Sequence, residues 1–490
     1  MAGSPAEESF ARSREAFAQV QEWLAGPQAA GLDHAAVEEE LAARGREIQR
    51  LLLQDHLDAR AAAERRLAQV TGPDGITRRR AERGHARPLA SVFGPVRVTR
   101  IAYRAAAARN VHPADAELNL PAGKHSHGLA KMTAAAAAAG SLGWACAQVR
   151  ARTGCTLGTR QAQQLTRAAA ADVGDFYASR RRPPPGAAAG DVLVISCDGK
   201  GIMVRPGELR PRSARLARKA VPKQDGRLSR GEVRTRKRMA EVAAVFDLAP
   251  VPRTVQDILG PGPRPPGPGA AGKWLTASVA ADATEVVAAA FAEADRRDPR
   301  RQRTWIALAD GNKDQIAWIR DQAAARGITI TIICDFIHVI EYLWDAAWCW
   351  FPEASPQAGP WVRDRAAAIL DGRAADVAAA LHAAAAVLPP ARRKTAEKTA
   401  RYLHAKAPWL DYPTALANGW PISTGVIEGA CRHLVKDRMD ITGARWGVQT
   451  AEAILKLRAL HANGDFSEYW AYHLHREHQR NHPPTYTLAA

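Results

Sequence analysis

At 490 residues the chain is too long for one ordinary core, and two to four domains are expected. Its 68 Lys and Arg outnumber 50 Asp and Glu, for a formal net charge of +18. That balance favours polyanionic partners, nucleic acid first. No apolar run reaches membrane-spanning length, and the first thirty residues lack the apolar core of a signal peptide. The six cysteines (Cys146, Cys155, Cys197, Cys334, Cys349 and Cys431) form no CxxC pair and no zinc spacing. They read as reduced thiols of a cytoplasmic protein with no membrane partner.

Taken in order, residues 6–70 are polar and Ala-rich with apolar positions at helical spacing (Val37, Leu41, Ile48, Leu51), which predicts two or three amphipathic helices. Ala90–Tyr103 alternates around Gly94-Pro95 and predicts a hairpin, with Arg97 and Arg100 either facing phosphate or on a solvated face. Three helices follow, over Gly128–Ala138, Leu142–Arg152 and Thr159–Ala171. The turn at Gly154 between the last two gives a helix-turn-helix-like segment, in which Thr159, Arg160, Gln161 and Gln164 are the candidate DNA-reading residues. A plain helical bundle would show the same pattern. Arg180–Pro185 is a linker.

The next part is organised by apolar strands running into Asp: Val192–Ile195 before Asp198, Thr304–Ala309 before Asp310, and Ile328–Cys334 before Asp335. Gly199-Lys200-Gly201 predicts a tight hairpin into a second strand at Ile202–Val204, and Met239–Leu248 predicts a third. The basic run between them, over residues 205–238, reads as a solvated mobile loop able to grip phosphate. Leu275–Asp295 and Asp314–Arg326 predict helices, and Phe336–Phe351 an aromatic-rich helix whose rings belong to the core. Residues 352–418 are Ala-rich and helical. Ser423 or Thr424 then caps a helix bearing Glu428, with Arg432 and Lys436 at i,i+4 intervals beyond it.

The order β-β-β-α-β-α-β matches an RNase H-like core. Asp198 closing a first strand, Asp310-Gly311 closing a fourth, and Glu428 after a long helical insertion resemble the DDE (Asp-Asp-Glu) transposases of bacterial insertion sequences. Within that group the chain is most similar to the Kra-type family, related to the Mutator-like transposases. Asp335-Phe-Ile-His338 resembles that wider group's C/D-x-x-H signature, and Ser423–Gly429 and Thr442–Trp446 resemble family blocks.

The resemblance implies a multi-domain α/β protein: residues 1–88 an N-terminal helical region, 89–178 a hairpin plus helix-turn-helix-like domain, 179–190 a linker, 191–351 and 419–462 the two parts of the catalytic core, 352–418 a helical insertion, and 463–490 a tail. It implies Asp198, Asp310 and Glu428 as catalytic ligands of two Mg²⁺ ions, for which Mn²⁺ may substitute, because phosphodiester transfer needs hard oxygen donors on rigid elements. Asp335 and His338 would be accessory. Arg432, Lys436 and Arg445 are candidates to grip phosphate, and Trp446 to stack on a displaced base. The implied partners are double-stranded DNA (element ends and target) and further copies of the chain on that DNA, in the bacterial cytoplasm at the nucleoid. Two other readings stay open: a catalytically inactive or co-opted sequence-specific DNA-binding protein, and an RNase H-like nuclease without strand transfer.

Overall fold

The computed structural model describes residues 9–180, 191–219, 236–263, 265–441, 443–482 and 487–489. Most of the expected 179–190 linker and residues 220–235 of the basic run lie outside the described residues, as does Thr442. Two compact units form, one of Met1–Ala178 with Asp465–Ala490 and the other of Ser179–Gly464. Among the described residues no helix is long and apolar enough to cross a membrane.

In the first unit, α1 (Ala11–Ala25) is tied to α2 (His34–Ala63) by Arg12, which pairs with Asp55 at 2.7 Å and Asp58 at 2.5 Å. Asp33 caps α2 by accepting from Ala36 N. Short strands β1 (Gln69–Thr71) and β2 (Thr77–Arg78) precede the hairpin β3 (Arg80–Ser91) and β4 (Gly94–Arg104). The hairpin turns at Gly94, whose φ of 124° suits glycine. It is longer than the sequence suggested. Gln54 of α2 brackets the Arg97 backbone, accepting from its N–H at 2.7 Å and donating to its carbonyl at 2.9 Å. Arg97 itself stays exposed. Arg100 does not face phosphate: it is buried and paired with Asp115 at 2.5 Å.

Helices α3 (His127–Ala139), α4 (Leu142–Thr153) and α5 (Thr159–Ala169) follow. Ser126 and Ser141 cap the first two, and Gly154 ends α4 in the left-handed region at φ 71°. Leu129, Val149, Cys155 and Leu157 pack together where they meet. Residues 463–490 are not a mere tail. The helix Phe466–Asn481 closes on this unit: Asp172 is bonded to His473 Nδ1 at 2.6 Å and to Arg480 at 2.6 and 2.8 Å, and Tyr469 donates to the Ala169 carbonyl. Thr487–Ala489 pairs antiparallel with β1.

The second unit is a mixed α/β assembly around a five-stranded sheet of order β7-β6-β5-β8-β9. Its strands are β5 (Val192–Met203), β6 (Lys237–Leu248), β7 (Ala270–Ser278), β8 (Trp305–Ala309) and β9 (Ile330–Cys334). The β5–β6 and β6–β7 pairs are antiparallel, and β5–β8 and β8–β9 are parallel. β8 is buried at every position, which is why it reads as an unbroken apolar run. Helices α6 (Ala283–Arg297) and α7 (Lys313–Arg326) connect β7 to β8 and β8 to β9, and α8 (Phe336–Trp350) follows β9.

Two boundaries differ from the sequence reading. Gly199 and Gly201 make no turn: β5 runs on through both and stays paired with β6 from Val192↔Leu248 to Met203↔Lys237. The expected Leu275–Asp295 helix is the end of β7 followed by α6, which starts where Asp282 and Glu285 cap each other's backbone N–H. Part of the basic run is ordered as the exposed helix Pro211–Lys219 rather than a loop. The helices Ala358–Leu370, Ala374–Ala385 and Pro390–Lys406 join α8 in the same core as the sheet. The α8 aromatics mostly pack inward: Phe336 meets Tyr412 edge-on at 5.3 Å and Tyr342 stacks on Tyr402 at 3.9 Å, while Trp348 is exposed.

Candidate metal centre

Acidic side chains gather where β8 and β9 end. Asp310 follows the last residue of β8, so a rigid, fully buried strand fixes its backbone. Its Oδ1 accepts from Asn312 N at 2.7 Å, and the Tyr402 hydroxyl reaches its carbonyl at 3.4 Å. Asp198 lies within β5 rather than at its end, at the point where burial along the strand gives way to partial exposure. It accepts from Gly199 N at 2.6 Å and from the Cys431 thiol at 3.3 Å. Burial, with Asp198 adding to it, pushes the Cys431 thiol well up, so sulfur stays protonated and donates.

Glu428 is exposed on α9 (Gly425–Ala430). The chain then passes into a π-helical segment, Cys431–Lys436. Such segments recur at functional sites, and here the segment begins at the residue that touches Asp198. Thr424 Oγ1 lies 3.4 Å from Glu428 Oε1 and donates to Asp335 Oδ2 at 2.5 Å.

Asp335 has a different character. It is fully buried and caps α8 by accepting from Ile337 N at 3.0 Å. Oδ1 also takes Thr424 N at 3.3 Å, and Oδ2 takes Thr424 Oγ1 and His338 Nδ1, the latter at 3.0 Å. With four donors on two oxygens, Asp335 is saturated. It fastens the start of α9 to the start of α8, and its own N–H donates to the Ala309 carbonyl beside Asp310. The hydrogen bond that His338 donates to Asp335 raises the imidazole to about 9 against the effect of partial burial. The imidazole is therefore charged at neutral pH, with Nδ1 committed and Nε2 left to donate.

Asp335, His338 and Glu428 place one ligand atom each within 4.8 Å of one another, and Asp198 and Asp310 are outside that set. Asp198 and Asp310 instead line one cavity of ≈ 270 Å³ together with Glu241 and Gln315. The three predicted acids thus approach one end of the sheet without forming a single tight cluster. For a cation the fit is chemical. Asp198, Asp310 and Glu428 offer hard carboxylate oxygens suited to Mg²⁺ or Mn²⁺. Asp335 already accepts four hydrogen bonds, and His338 Nδ1 is engaged with it.

The other predicted residues divide. Arg432, Lys436 and Arg445 are exposed. Arg432 pairs with Asp437 at 3.9 Å rather than with Glu428. Trp446 is not available to stack on a base: it is buried, its indole N–H donates to the Met439 carbonyl at 3.0 Å, and Arg438 covers its ring at 4.8 Å. Thr159, Arg160, Gln161 and Gln164 are all exposed at the start of α5, but Gln161 Oε1 is turned back to accept from Gly158 N at 3.0 Å.

Glu241 and Gln315 escaped the sequence reading. The signal for Glu241 was present, since it is the one charge within the apolar run Met239–Phe246. Burial raises its carboxyl above the usual range. Gln315 carried no signal, being a helix residue of ordinary propensity. No protein-family model matches the sequence, and a search of characterised proteins finds no match.

Proposed function

We propose that the chain is a DNA transposase of the DDE type, binding the ends of its own insertion sequence and catalysing Mg²⁺-dependent cleavage and strand transfer. The observation that carries this reading is the state of the acids. Among the described residues Asp198, Glu241, Asp310 and Glu428 have no Lys or Arg ion-pair partner, in a chain with an excess of 18 positive charges. Acids left unneutralised at the end of a rigid sheet suit an external cation. The strand order, with three antiparallel strands extended by two parallel ones, supports an RNase H-like core.

Asp198, Asp310 and Glu428 would hold the metal. Bound Mg²⁺ supplies Lewis acidity for the attacking and leaving oxygens of an in-line displacement. His338, oriented by Asp335, holds a proton on Nε2 for a phosphate oxygen. Arg432, Lys436 and Arg445 are placed on the surface to meet backbone phosphates. The exposed first turn of α5, following a left-handed Gly turn, supports helix-turn-helix reading of the element's ends by Thr159, Arg160 and Gln164, with Gln161 serving the cap. Pairing two ends requires more than one copy on DNA, and the reading places the protein in the bacterial cytoplasm.

The test is cleavage and joining on DNA from the borders of the protein's own gene, with Mg²⁺ or Mn²⁺. Asp198→Ala, Asp310→Ala and Glu428→Ala are expected to abolish both products while end binding survives. Cutting without joining would make the chain a nuclease. Binding with neither reaction under any divalent cation would leave a DNA-binding protein.

A further inference from the structure

The cavity beside Asp198 and Asp310 is lined by one buried acceptor that no donor meets and by a carboxylate without an ion pair. Gln315 is only 8% exposed. Its Nε2 donates to the Cys197 carbonyl at 2.5 Å, so the amide orientation is set, and its Oε1 is buried without a hydrogen-bond partner. Glu241 stands opposite Gly199 in the β5–β6 ladder. A Cβ at position 199 would come within 3.0 Å of Glu241 Oε2, so glycine there leaves the carboxylate room. Glu241 has no hydrogen bond or ion pair among the described residues. Both side chains line the same cavity of ≈ 270 Å³ as Asp198 and Asp310.

A buried acceptor without a donor, as at Gln315 Oε1, is unfavourable and marks a missing partner. An apolar ligand would leave it unsatisfied. A neutral donor would serve Gln315 but bring no positive charge to Asp198, Glu241 and Asp310. A hydrated divalent cation answers both needs, because Mg²⁺ keeps several of its waters when bound to proteins and those waters are donors.

We propose that Glu241 and Gln315 are positioning residues for the cation of the centre, accepting hydrogen bonds from its water ligands while Asp198 and Asp310 bind it. This rests on the reading of Asp198 and Asp310 as ligands. Groups that act on a metal through its ligands commonly change its affinity by about 10–100-fold.

Mn²⁺ binding to the full chain, followed without DNA by the electron paramagnetic resonance of free Mn²⁺, tests the proposal. Glu241→Gln is expected to weaken binding by about 10–100-fold, Glu241→Asp to recover part of the loss, and Gln315→Leu to shift affinity the same way. In the absence of metal, Glu241→Gln should unfold at the same or higher urea concentration than wild type, since it removes a half-buried charge that Asp198 and Asp282 repel. Wild-type Mn²⁺ affinity in Glu241→Gln, or no Mn²⁺ binding by wild type, overturns the proposal. If Asp198→Asn binds as wild type while Glu241→Gln is weakened, the Asp198 assignment fails and the role of Glu241 stands.

Discussion

The two ends of the five-stranded sheet handle acidic side chains in opposite ways. Where β5 and β8 begin, Asp247 pairs with Arg297 at 2.9 Å and Arg303 at 2.8 Å, and Arg297 also pairs with Glu293 at 2.8 Å. Asp298 nearby accepts from Gln302 N, Arg303 N and Trp305 Nε1. Where β8 and β9 end, Asp198, Asp310, Glu241 and Glu428 have no such cations among the described residues, and only Asp335 is fully bonded. The same sheet therefore carries one end neutralised by its own side chains and one end whose acids lack ion-pair partners among the described residues. A buried pair is costly to break because the survivor stays charged and dry, whereas an acid awaiting a cation is a burden until that cation arrives.

The largest contrast is expected between Asp247→Ala and Asp198→Asn. The first should cost about 3–5 kcal/mol in urea unfolding, by stranding Arg297 and Arg303. The second, without metal, should leave stability unchanged or raise it. Equal destabilisation by both would erase the distinction between the ends.

Next comes Asp335, the exception at the open end. Asp335→Ala should cost about 2–4 kcal/mol, because it frees Thr424, His338 and the start of α8 at once. Retention of wild-type stability would show that the α8–α9 fastening is incidental.

A smaller effect is expected from pH. His338 is raised from 6.5 to about 9 by Asp335. A raised imidazole contributes its stability fully below pH 6.5, and that contribution is lost as pH climbs through about 9. The His338 side chain is 35% exposed, so after allowance for solvent screening the loss should be about 1–2 kcal/mol in metal-free protein. It should vanish in His338→Asn. A His338 NMR titration with a midpoint near an ordinary imidazole value would contradict the Asp335 pairing.

The smallest effect belongs to the first unit. Arg160→Ala should weaken binding to end DNA by about 1 kcal/mol and lower its salt dependence, measured by fluorescence anisotropy. An unchanged salt slope would remove Arg160 from the interface.

Much of this architecture was legible because its signals are local. β8 and β9 are unbroken apolar runs ending in Asp, and both were placed near their true ends. Asp198 was singled out for a partly mistaken structural reason. Gly199 and Gly201 look like a turn, yet they lie mid-strand, where the missing Cβ makes room for Glu241 and Met239 from β6. That requirement arises only once the strands pair. The β7–α6 boundary was blurred by alanines that suit either state, although the Asp282/Glu285 capping pair was written in the sequence. Trp446, Arg100 and residues 463–490 were misjudged for a common reason: their partners are remote in sequence or, for Trp446, brought round by a turn. Gln315 is the extreme case. Nothing about a glutamine in a helix announces that one amide nitrogen is spent on β5 and the oxygen left facing a cavity.

The most direct test of the central claim is thermal unfolding of the full chain with and without Mg²⁺, for wild type and for Asp198→Asn/Asp310→Asn. A ligand that binds only the native state raises Tm with its concentration. The account predicts that Mg²⁺ raises the wild-type Tm, and that the double variant is at least as stable as wild type without metal and does not respond to it. A wild type indifferent to Mg²⁺, or a double variant that responds equally, would contradict the claim that this end of the sheet is built around a cation.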